Sequence, residues 1–164
     1  MDTRTKYALC LLVVAGTCLI SPAAAGKTIL KSKLTPEQEV GGVSNDTPSG
    51  ARASAFAILH FDKFKNAKLN FRITYAHFSG PLVNAHFHMG VKGVNGPVVQ
   101  TICGAPAPSL LGECPSRFNS GVLTGVWTVP RDLLDDLLNK GVYINLHTAL
   151  NMDGEVRGQL FKKY

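Results

Sequence analysis

Period-two alternation is the feature that most limits what this chain can fold into. "AKLNFRITY" (67–75) puts Leu69, Phe71, Ile73 and Tyr75 on one side of an extended backbone and Lys68, Asn70, Arg72 and Thr74 on the other. "PLVNAHFHM" (81–89) repeats the pattern, with Val83, Ala85, Phe87 and Met89 facing one way and Asn84, His86 and His88 the other. "VYINLHT" (142–148) sets Val142, Ile144 and Leu146 against Tyr143, Asn145 and His147. Such alternation belongs to strands with one buried and one wet face. Further strands are expected at 26–34, 51–61, 98–102, 121–129 and 155–161, the one at 51–61 buried on both faces because its small and apolar residues do not alternate cleanly. "DKFKNA" (62–67), "GVKGVNGP" (90–97) and "NMDG" (151–154) read as turns, and "GGVSNDTPSG" (41–50) reads as a loop. "PRDLLDDLLNKG" (130–141) is the single helical pattern, with Pro130 at its start, a leucine face and Gly141 as the C′ residue. The expectation is an all-β chain, a Greek-key-like β-sandwich or barrel of about seven or eight strands with one short helix near 130–140.

The first 25 residues stand outside this plan. Arg4 and Lys6 precede the apolar run "ALCLLVVAGTCLI" (8–20), and "SPAAA" (21–25) follows with small residues at 23 and 25. That is the pattern of a signal peptide cut after Ala25, and the run is too short to span a bilayer. The mature chain, 26–164, is then one domain that is secreted, or periplasmic if the source is bacterial, with no membrane segment of its own. Cleavage removes two cations and one anion, so the net charge falls from +6 to +5. The basic residues are scattered and form no block of the kind that marks nucleic-acid binding. Cleavage also removes Cys10 and Cys18, and the remaining pair, Cys103 and Cys114, reads as a disulfide closing "CGAPAPSLLGEC". Their spacing is unlike that of common zinc pairs.

The chemistry-bearing residues are histidines. His86, His88 and His147 lie on the polar phase of two predicted strands, each sharing its face with an asparagine, Asn84 or Asn145. If the two strands are neighbours, three imidazoles converge, and neutral imidazole is a good ligand for copper and zinc. Exposed or backbone-bonded histidines are the alternative. His77 falls on the inward phase and His60 on the phase of Phe56 and Ile58, so both read as packed, hydrogen-bonded side chains, with a fourth-ligand role left open. Glu155 and Arg157 share a face near the C-terminus, either as a surface ion pair or with Arg157 guiding an anion toward a metal. No G-x-S-x-G, P-loop or dinucleotide fingerprint is present, and Asp135 and Asp136 read as a solvated helix face.

"LTPEQEV" (34–40), "NAHFHMGVKGVNGPVV" (84–99), "GVWT" (125–128) and "GVYINLHTALNMDGEVRGQL" (141–160) resemble the CHRD domain, named after chordin, over roughly 30–162. Gly41 and Gly42 depart from the family, which often has prolines there, and the "CGAPAPSLLGEC" insert looks particular to a subgroup. Chordin's antagonism of bone morphogenetic proteins depends on other modules and is not implied here. A weaker likeness to copper/zinc superoxide dismutase implies His86, His88 and His147 as copper ligands and Arg157 on the anion approach. No histidine lies between 89 and 146, so that enzyme's bridging and zinc-site histidines have no counterpart. Two readings follow. One is a secreted copper protein, with zinc as the alternative metal and a dismutase-like redox activity if it is an enzyme. The other is a non-enzymatic module that binds an extracellular protein or matrix partner and keeps its histidines for structure.

Overall fold

The computed structural model describes residues 26–114 and 118–163, so the expected leader at 1–25 lies outside the described residues. Among the described residues, nine strands form two antiparallel sheets: β1 (Thr28–Leu34), β2 (Arg52–Phe61), β3 (Ala67–Ala76), β4 (Leu82–Met89), β5 (Val98–Cys103), β6 (Gly121–Val129), β7 (Val142–Thr148), β8 (Val156–Gln159) and β9 (Phe161–Lys162). The larger sheet has the order β6-β3-β2-β1-β9 and the smaller β5-β4-β7-β8. β6 returns to pair with β3 after β4 and β5 of the other sheet, and β7 returns to pair with β4 after β5 of its own sheet and β6 of the other. These are the Greek-key connections of a sandwich, and the sheets do not close into a barrel.

Inward residues of both sheets build the core, including Leu69, Phe71, Ile73 and Trp127 from the larger sheet and Ala85, Phe87, Ile144 and Leu146 from the smaller. Phe87 joins the two layers, stacked on Trp127 at 4.8 Å and edge-on to Phe71 at 5.5 Å between ring centroids. β2 differs from the expectation. It alternates strictly, with Ala53, Ala55, Ala57 and Leu59 inward and Arg52, Ser54 and Phe56 outward. Its alanines are core residues, and Ala57 stands directly across from Phe71. Alanine is neutral as a pattern signal, yet its small volume is what the neighbouring rings require.

The helix is shorter than its leucine pattern implies. A 3₁₀ turn at Arg131–Leu133 leads into α1 (Leu134–Leu138), and only Leu137 of α1 is fully buried. The left-handed residue that ends it is Lys140 (φ 66°), while Gly141 donates to the Asp136 carbonyl at 2.7 Å and leaves no room for a Cβ against Asp136. Among the described residues no helix is long and apolar enough to cross a membrane.

Phe87→Ala removes the ring shared by both sheets and is expected to cost about 3–5 kcal/mol. A urea titration checks this as a lower midpoint with an unchanged slope.

Candidate metal centre

β7 is buried along its whole length, on both faces. The side of the smaller sheet away from the core is therefore not wet, as its polar residues suggest, but roofed by loops. Every polar group on that side of β7 needs a partner inside the protein.

The register of β4 against β7 sets Asn84 across from His147 and His86 across from Asn145. Both rings point to the roofed side, and the His86 Nδ1 lies 3.0 Å from the His147 Nε2. His88, two residues on, shares that side. One ligating nitrogen from each of His86, His88 and His147 lies within 4.8 Å of the others. His86 and His147 are buried, and His88 is half-buried.

Each ring is held from behind by a backbone carbonyl. His86 Nε2 meets Ala105 O at 2.5 Å, His88 Nδ1 meets Gly96 O at 3.0 Å, and His147 Nδ1 meets Met152 O at 2.9 Å. A carbonyl only accepts, so each of these nitrogens carries the ring proton. A neutral imidazole has a single N–H, which leaves His86 Nδ1, His88 Nε2 and His147 Nε2 as bare lone pairs within one cluster, the first and third facing each other at 3.0 Å. His88 Nε2 is buried with no hydrogen-bond partner. A proton between rings would relieve the crowding, but burial works against it. Desolvation, with repulsion from His86 next, lowers His147 to about 4. Desolvation lowers His86 and His88 as well.

The loops that supply the carbonyls are themselves fixed. Asn84 Oδ1 accepts from the Ala105 amide at 2.8 Å, within the loop that the Cys103–Cys114 disulfide closes. Gly96 is packed so closely on the Met89 carbonyl that only glycine fits. The loop bearing it is clamped by Arg157, which donates to Asn95 Oδ1 at 2.9 Å and to Val94 O at 2.6 Å. The Arg157 guanidinium lies 3.5 Å above the centroid of Tyr143, whose other face stacks on His88 at 4.7 Å. Tyr143 Oη accepts from the Gly96 amide at 3.2 Å, which closes the circuit.

The hairpin that carries Met152 is tied down by Glu155. This fully buried carboxylate accepts from the Ser79 amide at 2.7 Å, from the hydroxyls of Ser79 and Thr148 at 2.5 Å each, and from Asn151 Nδ2 at 3.1 Å. Glu39, beyond the 3₁₀ turn at Pro36–Gln38, borders the same region and takes a long bond of 3.4 Å from Asn145 Nδ2. Burial pushes the Glu39 carboxyl up to about 8 despite the attraction of Arg157.

Three expectations are corrected here. Arg157 is 2% exposed and committed to the 91–96 loop, so it is not displayed to an approaching anion. Glu155 and Arg157 are not a surface ion pair, since both are buried and each is satisfied by its own partners. His77 is exposed on a turn with φ of 60° and not packed inward. His60 lies on the outer side of the larger sheet, 3.2 Å from Asn70 Nδ2, so neither it nor His77 belongs to the cluster. The holding groups that sequence reasoning missed are mainly backbone carbonyls. The signals that bear on them are the two asparagines sharing the histidine face and the glycine of "VNGP".

The fold and the site together define a class: a loop-roofed Greek-key sandwich with three carbonyl-anchored histidines on the outer side of its smaller sheet. The profile of the CHRD domain matches residues 30–160, and the chain belongs to the CHRD domain family. No curated protein and no solved structure matches the chain, so the likeness to copper/zinc superoxide dismutase gains no support.

The lowered pKa values set a pH dependence for the metal-free fold. Each ring binds its proton less readily in the folded state than the ordinary histidine value of about 6.5. At these rings the unfolded chain therefore holds more protons below that pH, and their contribution to stability is lost as pH falls from about 6.5 toward 4, opposed in part by the raised carboxyl of Glu39, whose contribution is lost as pH rises toward 8. In the presence of a chelator, the slope between about pH 6 and 5 is expected to be shallower in His147→Asn than in the native chain, by at most ~1.4 kcal/mol per pH unit. Urea titrations at each pH measure it.

Proposed function

We propose that this CHRD domain protein is a secreted metal-binding protein in which His86, His88 and His147 hold one transition-metal ion, copper in preference to zinc. The observation that carries the proposal is the placement of the lone pairs. Carbonyls of Ala105, Gly96 and Met152 fix the proton of each ring on its far nitrogen, and the near nitrogens crowd together with His88 Nε2 unpartnered. A divalent cation turns that crowding into coordination. Ring-to-carbonyl bonds of this kind are the usual outer support of histidine ligands, orienting the ring and raising its basicity.

The fit is close but needs a small contraction. The 3.0 Å separation of His86 Nδ1 and His147 Nε2 suits two ligands on one ion. The 4.8 Å outer limit of the cluster exceeds twice a metal–nitrogen bond of about 2.0–2.1 Å, so binding draws the third ring inward. Three nitrogen donors leave a coordination position for water or a small molecule, and divalent copper outranks zinc at such a site by intrinsic affinity. A copper ion there would supply one-electron redox chemistry. The chain's own contribution is to hold three neutral imidazoles in place through a roof of hydrogen-bonded loops. The leader at 1–25 and the single mature domain at 26–164 complete the proposal, and both rest on the sequence pattern.

Protein recovered from a secreting host, with an intact mass beginning at Gly26, is expected to take up one equivalent of Cu(II) at neutral pH and to melt at a higher temperature when loaded. Zn(II) is expected to bind more weakly. The His86→Ala/His88→Ala double variant loses binding by at least about a hundredfold, and loaded protein releases its ion below about pH 5 as protons compete for the rings. Identical melting with and without metal, in native chain and variant alike, would overturn the proposal and leave an extracellular module with structural histidines.

A further inference from the structure

The outer side of the larger sheet is uncovered, and its composition is one-sided. The outward positions of β1, β2, β3, β6 and β9 carry Lys31, Lys33, Arg52, Lys68 and Arg72 and no carboxylate. Between these cations lie Phe56, 42% exposed, and Phe161, 39% exposed. The pairing places Phe161, Lys31, Phe56 and Arg72 in one row across four strands, so a ring and a cation alternate across the sheet. The next row along the strands holds Lys33, Ser54 and Thr74.

The surface is hollowed as well as basic. One depression of about 400 Å³ is lined by Lys31, Lys33, Phe56, Arg72 and Phe161, and a second of about 400 Å³ by Lys33, Arg52 and Tyr75. The two share Lys33, Ser54 and Thr74 and so adjoin on one face, as a groove in two parts.

We infer that this groove binds an acidic polysaccharide, with Lys31, Lys33, Arg52 and Arg72 meeting its anionic groups and Phe56 and Phe161 packing under its sugar rings. Charge complementarity selects a polyanion. Adjacent strands lie ~4.8 Å apart, which puts Lys31 and Arg72, on either side of Phe56, about 10 Å from each other. That spacing suits an extended chain with separated charges. Phe56 and Phe161 line a depression together with Lys31 and Arg72, which favours a chain lying in the groove over insertion into a lipid surface. Ser54 and Thr74 add hydroxyl partners for a hydroxyl-rich ligand. The Cys103–Cys114 disulfide belongs to an oxidising compartment, where the abundant extended polyanions are polysaccharides and not nucleic acids. The cations are dispersed along the chain, so only the strand order brings them together.

The test is binding of a sulfated heparin oligosaccharide to the mature protein, with neutral dextran, a poly-dT oligonucleotide and phosphatidylserine vesicles as alternatives. Heparin is expected to bind best, and its affinity to fall at least about tenfold between roughly 50 and 200 mM salt. Lys31→Gln/Arg72→Gln and Phe56→Ala are each expected to weaken it by about fivefold or more with an unchanged melting temperature. His86→Ala/His88→Ala, on the other sheet, is expected to bind heparin as the native chain does. Native affinity in both groove variants would overturn the inference, as would equal or tighter binding of the oligonucleotide or the vesicles at the same salt.

Discussion

The structure depends on one constraint: β7 is buried on both faces while half of its side chains are polar. A buried polar group without a partner costs on the order of 1–3 kcal/mol, so the outer side of the smaller sheet holds together only if its roof satisfies it. The roof does most of this with two charged side chains used structurally, and among the described residues it leaves Asn145 Oδ1 and His88 Nε2 without a partner. Glu155 gathers donors from the 79 turn and the 148–151 hairpin, and Arg157 gathers acceptors from the 91–96 loop. Each thereby aims a carbonyl at a histidine, Met152 O at His147 and Gly96 O at His88. The tautomers of the cluster are thus consequences of how the roof is tied down. The groups that fix them lie outside the cluster itself.

Most of the strand plan was legible in the alternation of 67–75, 81–89 and 142–148, because one-sided burial writes itself as period two. One exception, at 51–61, has a physical cause, since alanines that face the core carry little hydrophobic signal of their own; another is the single strand expected at 155–161, which divides at Leu160 into β8 of the smaller sheet and β9 of the larger. The convergence of His86, His88 and His147 followed from phase once β4 and β7 were neighbours, and that pairing could be stated only as a condition from sequence. The burial of the histidine face was not legible. Its cover comes from residues 91–96, 104–106 and 149–154, which reach it only through the fold. Nor were the roles of Ala105, Gly96 and Met152 legible, because a backbone carbonyl leaves no mark on residue identity. Arg157 was misplaced for the same reason: a cation on a strand's polar phase looks like a surface charge until the loop that it clamps is seen.

The two outer faces of the sandwich are chemically opposed. The smaller sheet hides neutral imidazoles under loops, and the larger shows cations and phenylalanines to solvent. The core between them, centred on Phe71, Phe87 and Trp127, separates the two. Substitutions on one outer face therefore leave the other as an internal control, and a variant that disturbs both reports damage to the fold.

The central claim is that three bare ring nitrogens lie in one cluster, and long-range ¹H–¹⁵N correlation spectra of the histidine rings test it most directly. In metal-free protein near pH 7, His88 and His147 are expected as Nδ1–H tautomers and His86 as the Nε2–H tautomer. Addition of one equivalent of diamagnetic Zn(II) is expected to shift His86 Nδ1, His88 Nε2 and His147 Nε2 and to leave their N–H partners bonded. Opposite tautomers, protonated rings at that pH, or spectra that Zn(II) does not change would contradict it.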